Sequence, residues 1–105
     1  MAVVTARGEL DIAGTVALEE AVGRVGDEPD LVGVVVDLSR LEFLDSSGLR
    51  ALVLAGRRVA ADGRRFALVP GGEPVQRVFE ITRMSERLTW VASPEDLLSD
   101  AEEPA

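Results

Sequence analysis

Leu31-Val32-Gly33-Val34-Val35-Val36-Asp37-Leu38 is a near-continuous apolar run, the pattern of a central strand buried on both faces. Upstream, Val3 to Leu10 reads as another strand, stopped by the turn-prone Asp11-Ile12-Ala13-Gly14. Thr15 is placed to cap a helix from Val16 to about Val25, with Leu18, Ala21, Val22 and Val25 on one face. Gly26 to Asp30 is a loop. Beyond the central run, Leu49, Leu52, Val53, Gly56, Val59 and Ala60 recur at helical spacing. The helix they predict ends at Asp62-Gly63, where glycine suits a left-handed cap. Arg65 to Val69 is a third strand, closed by Pro70-Gly71-Gly72. A short helix from about Val75 to Glu80 and a strand from Leu88 to Ala92 follow. Ser93-Pro94-Glu95-Asp96 then opens a last helix, with a serine cap, a proline at the first position and acids in the first turn.

The order βαβαβαβα predicts an α/β fold, a small mixed, mostly parallel sheet of about four strands with alternating helices. A single domain over residues 1–105 is expected, its small, acidic end frayed from about Ser99. Sites in such sheets gather where strands end and helices begin. Asp11, Asp37 and Asp45 all fall at ends of that kind and define one rim.

Composition narrows the chemistry. Apolar residues make up 47% of the chain but aromatics only 4%, so the core is aliphatic. Trp90, Phe66 and Phe79 are assigned to packing, and Phe43 to the core rather than to a contact beside the next serine. Cysteine and histidine are absent and every basic residue is arginine. That excludes disulfides, thiol chemistry, imidazole bases and nearly every zinc or copper site. A net charge of −8 repels nucleic acid and anionic membranes. No apolar run reaches membrane-spanning length, and Met1 leads into Ala2-Val3-Val4 without a basic leader. A cytoplasmic protein is expected, one that binds another protein or a small molecule and carries no cofactor.

The segment Asp45-Ser46-Ser47-Gly48-Leu49 places hydroxyls where a strand gives way to a helix. A helix start exposes unpaired N–H groups and a partial positive charge, so it tolerates a phosphate. Phosphorylation there adds about −1.5 to −2 charges, opposed only by neighbouring Asp45. A surface whose charge changes while its shape hardly moves controls docking rather than folding. The same residues serve equally as plain helix caps. Asp11 is either a turn residue bonding its own backbone or part of that surface, and Asp37 closes a strand and satisfies nearby N–H groups. Arg50, one turn beyond Ser46, either reaches a phosphate there or is an ordinary solvated arginine. Arg57, Arg58, Arg64 and Arg65 are the wet face and end of the same helix.

Catalytic readings fail. A serine nucleophile has neither His nor Lys to act as its base, and Gly71-Gly72 is too short for a phosphate-binding loop. The three aspartates can in principle hold Mg²⁺, as in a phospho-accepting receiver domain. Receivers also rely on a lysine, and none is present. Neither a catalytic nor a metal site is expected.

Gly8-Glu9-Leu10-Asp11, Asp37-Leu38-Ser39 and Phe43-Leu44-Asp45-Ser46-Ser47-Gly48-Leu49 together resemble the STAS family, the fold of bacterial anti-sigma factor antagonists. Pro74 to Ile81 is a weaker match to that family's third-helix region, and the resemblance spans about Val4 to Glu95. It implies phosphorylation of Ser46, with Ser47 as second choice, by a GHKL-type serine kinase that doubles as the anti-sigma factor. The unmodified form would bind that kinase and free a sigma factor, and a PP2C-type phosphatase would reset the switch. The docking surface implied is Asp11, Asp45, Ser46, Ser47, Gly48 and Arg50. Two features depart from the family. The strand that usually precedes Gly-Glu-Leu-Asp has too few residues before Val3, which leaves Val3 to Leu10 as an open edge able to self-associate. Arg50 stands where glycine or another small residue is common. The rival readings are a STAS subunit of a transport system docking on an ATPase, and, in a different class, the Mg²⁺-dependent receiver.

Overall fold

The elements of the computed structural model, which describes residues 2–28 and 30–96, are β1 (Ala2–Leu10), α1 (Ile12–Gly26), β2 (Gly33–Leu44), α2 (Ser46–Ala61), β3 (Arg65–Val69) and α3 (Glu73–Ile81), with a 3-10 turn at Met84–Arg87. The apolar run is indeed central. The sheet order is β1-β2-β3 and both pairings are parallel.

Three boundaries differ from the sequence expectation, each for a physical reason. Helix α1 begins at Ile12, directly after the sheet, because Asp11 rather than Thr15 caps it. The Asp11 carboxylate accepts from the Gly14 N–H at 3.1 Å, and its carbonyl from the Thr15 N–H at 3.0 Å. Strand β2 does not stop at Leu38 but runs on to Leu44, still paired to β1 beyond two register slips. The expected fourth strand shrinks to one parallel bridge between Leu68 and Trp90. The Leu68 N–H donates to Thr89 O at 2.9 Å and the Val91 N–H to Leu68 O at 3.0 Å. The 3-10 turn before it and the Ser93-Pro94 helix start after it leave no room for more. At that start the Ser93 N–H donates to an Asp96 carboxylate oxygen at 3.2 Å. The acidic end expected to fray from Ser99 lies outside the described residues.

The core is aliphatic, as composition required. Leu18 and Val22 of α1, Leu49, Leu52 and Val59 of α2, and Val75 and Phe79 of α3 pack on the β2 face carrying Val34, Val36 and Leu38. Trp90 closes it, its ring edge-on to Phe79 at 4.9 Å and its Nε1–H donating to Ser85 O at 3.0 Å. Val35, Ala67, Val69 and Val91 form a smaller cluster on the opposite face. Gly63 ends α2 with φ of 76°, in the expected left-handed region.

Strand β1 pairs only with β2 among the described residues, so its outer edge is open. Its register with β2 slips between Thr5 and Arg7 and again between Gly8 and Glu9, where Gly8 has φ of 67°. Such bulges twist an edge and, with exposed Arg7, blunt it as a template for another strand.

Candidate docking and modification site

Leu10 of β1 lies in register with Leu44 of β2, so the two strands deliver Asp11 and Asp45 side by side. Each aspartate caps the helix that follows. The Asp45 side chain accepts from the Gly48 N–H at 2.9 Å from an extended backbone, φ −101° and ψ −176°. The Asp45 N–H in turn donates to Leu10 O at 3.4 Å, stitching the α2 start to the end of β1.

Asp37 does not share this rim. It sits within β2, in register with Thr5 on one side and Val69 on the other, and accepts from the Ser39 N–H at 2.9 Å. β2 carries on past it to Leu44, roughly 20 Å further at about 3.3 Å per residue. Among the described residues, no three acidic, histidine or cysteine side chains lie close enough together to hold a metal ion. The three-aspartate arrangement that a receiver-type Mg²⁺ site would use is therefore not assembled.

Helix α2 opens with Ser46, which is exposed, and Ser47, which is half-buried. Gly48 is buried. A Cβ there would collide with the Leu10 carbonyl oxygen and stand 2.6 Å from Leu44 Cδ1. The glycine of the motif thus contributes no group to the surface; it lets α2 sit close enough to the strand ends to hold Ser46 on the rim. Phe43, expected in the core, is 49% exposed instead. It pairs with Glu9 just beyond the second register slip and emerges beside the aspartate cap.

Ser46 and Arg50 line a shallow cavity of about 310 Å³ together with Leu49, Val53, Leu54, Arg57 and Met84. Val53, Arg57 and Met84 also line a second cavity of about 480 Å³, which continues down α2 to Phe66 and Leu88. Gly56 shapes that trough: a Cβ there would stand 2.9 Å from the Phe66 ring, so the ring lies against bare helix backbone. The sequence placed Arg57 on a wet face and did not connect it to the serine. Ser46, Arg50, Val53 and Arg57 fall within a narrow arc at about 100° per residue, which is the signal that could have done so. Met84 comes from a distant turn and left no such signal.

Residues 1–97 match the STAS domain family. The chain belongs to that family. Among relatives of this STAS domain is the anti-sigma-F factor antagonist RsfB of Mycobacterium tuberculosis, 31% identical over 94% of this chain and 80% of the relative. The crystal structure of an anti-sigma factor antagonist from Mycobacterium paratuberculosis superposes with a TM-score of 0.79, at 30% identity, covering 96% of this chain and 85% of that one. The fold is shared as well by the unphosphorylated form of the anti-sigma factor antagonist SpoIIAA, with a TM-score of 0.76 at 19% identity over 98% of this chain and 89% of that one. The STAS domain contains no helix, among the described residues, long and apolar enough to cross a membrane.

Proposed function

We propose that this STAS domain is an anti-sigma factor antagonist switched by phosphorylation of Ser46. The observation that carries the reading is an exposed serine on the first turn of α2, directly after its Asp45 cap and beside the Asp11 cap of α1, in a chain related to named antagonists. Ser46 is favoured over Ser47 because the second hydroxyl is half-buried. The unmodified rim, formed by Asp11, Asp45, Ser46, Ser47 and Arg50 over buried Gly48, docks on an anti-sigma factor of the GHKL serine kinase type, in the cytoplasm, and a sigma factor is released. The kinase moves the γ-phosphoryl group of ATP to Ser46 Oγ; ADP leaves and the hydroxyl proton is lost to solvent. About two negative charges then appear on a rim whose backbone is already fixed by Asp45 and Gly48, so docking is lost while the fold stays. A PP2C-type phosphatase hydrolyses the ester and restores the rim. No step calls for a catalytic group or cofactor in this chain.

The test is a pull-down from source lysate with Ser46→Ala and Ser46→Asp baits, read by mass spectrometry. Capture of a GHKL-type kinase by the alanine bait and its loss from the aspartate bait are expected. Transporter components on either bait, or the same proteins on both, would overturn the switch. Although its two bulges blunt it, the β1 edge is open among the described residues, and self-association through it is a second, smaller proposal. Light scattering that gives a monomer mass at every concentration tested would refute it.

A further inference from the structure

The chain carries a net charge of −8, yet the trough that starts at Ser46 is lined by Arg50, Arg57, Arg65 and Arg87 and by no acidic residue. Among the described residues, neither Arg50 nor Arg57 has an ion-pair or hydrogen-bond partner. The unmodified surface beside the serine is therefore locally cationic on an acidic protein. Arg50 is exposed and shares the smaller cavity with Ser46. Residues four apart on a helix have Cβ atoms about 5–6 Å apart, and helical side chains lean toward the N-terminus, so a phosphate on Ser46 falls within reach of Arg50. Its planar fork of N–H donors matches two oxygens of a phosphate.

We propose that Arg50 receives the phosphate of modified Ser46, and that modification switches docking off by cancelling this cation. The proposal rests on the reading of Ser46 as the phosphorylated residue and gives that reading a mechanism. In the free rim, Arg50 is a cation open to the docking partner. In the modified rim, the phosphate occupies the same guanidinium from within the chain. The charged groups around the phosphate are Asp45 at the cap, Asp11 at the adjoining strand end, Arg50, and Arg57 farther along the cavity. The Asp45 carboxylate already accepts from Gly48.

The test uses the full chain with phosphoserine genetically installed at position 46, titrated by phosphorus NMR. The second phosphate ionisation should lie lower in the Arg50 protein than in Arg50→Gln by about 0.4 pH unit, the size of a helical i, i+4 ion pair. The difference should shrink in roughly 1 M salt, where screening acts over about 3 Å. Arg50→Lys should recover part of it, because charge is kept and the fork is lost. Arg77→Gln, an exposed change on α3 that alters net charge equally, should leave the ionisation in place. Equal titration of the parent and Arg50→Gln proteins, or an equal shift in Arg77→Gln, would overturn the proposal. Because the phosphate is installed rather than enzymatic, this result is independent of whether a kinase modifies Ser46 in the cell. Phosphoproteomics of the cell decides that separately.

Discussion

Replacing Gly48 by alanine isolates the contact that fixes α2 against the sheet. Alanine normally improves a helix, by about 1 kcal/mol over glycine in the interior. Here the added Cβ runs into the Leu10 carbonyl oxygen and stands 2.6 Å from Leu44 Cδ1 and 2.9 Å from Leu10 Cγ. A backbone oxygen held by the sheet cannot rotate away, so α2 must lift off the β1 end. Overpacking of this kind costs about 1–3 kcal/mol, and a backbone collision belongs at the upper end of that range. The expected net loss is about 2 kcal/mol, or roughly 10 °C of melting temperature for a domain of this size. Two other glycines calibrate the measurement. At Gly23 a Cβ would meet only the Arg58 guanidinium at 3.8 Å, so Gly23→Ala should stabilise by about 0.5–1 kcal/mol. At Gly56 it would meet the Phe66 ring at 2.9 Å, and a ring can shift, so Gly56→Ala should fall between the two. Urea unfolding of the three variants, followed by circular dichroism, gives the order. A Gly48→Ala protein as stable as its parent would show that α2 is not pinned at this contact, and the account of how Ser46 is held would fail.

Asp11→Asn should lower docking or phosphorylation more than stability, because the amide keeps an acceptor for the Gly14 N–H; a melting loss as large as that of Asp11→Ala, about 1 kcal/mol, would make Asp11 only a cap. Phe79→Ala empties a fully buried site under Trp90 and should cost about 3–5 kcal/mol. A denaturant midpoint unchanged from the parent, or undiminished near-UV signal from Trp90, would contradict the packing described.

Much of the fold can be read in the chain because local chemistry and tertiary packing agree there. Arg65 to Val69 is bounded by a left-handed glycine and by Pro70, and the structure keeps both ends. Of the apolar stripe of α2, Leu49, Leu52 and Val59 are buried as expected, whereas Val53 and Gly56 are half-buried, Ala60 is exposed, and Asp45 is the residue that caps the helix. The upper half of β2 was hidden. Two register slips against β1 break its alternation, so the buried positions fall at Leu38, Leu41 and Leu44, a spacing that does not look like a strand. The same slips turn Phe43 outward. Asp11 and Thr15 are both good caps, and only the end of the sheet at Leu10 chooses between them. Of the site, the serine and its aspartate were legible from local chemistry, whereas Asp37 was misplaced with the strand end. Arg57 lay on the right helical arc, but its cavity is completed by Met84 from another element.

Among the described residues, strand β2 is held on both sides only from Val34 to Asp37, and from Leu38 onward its single strand partner is β1. Backbone amides of Val34 to Val36, fully buried and flanked by two strands, belong to the slowest-exchanging unit and open with the whole molecule. The half of the strand that leads into α2 and its serine has one ladder, and that ladder is twice bulged. Its opening is a smaller, cheaper event, confined to the end of β1 and the first turn of α2. Under the proposed function, an enzyme drawing Ser46 into its own active site would work against that local transition alone, while the base of the sheet stays closed.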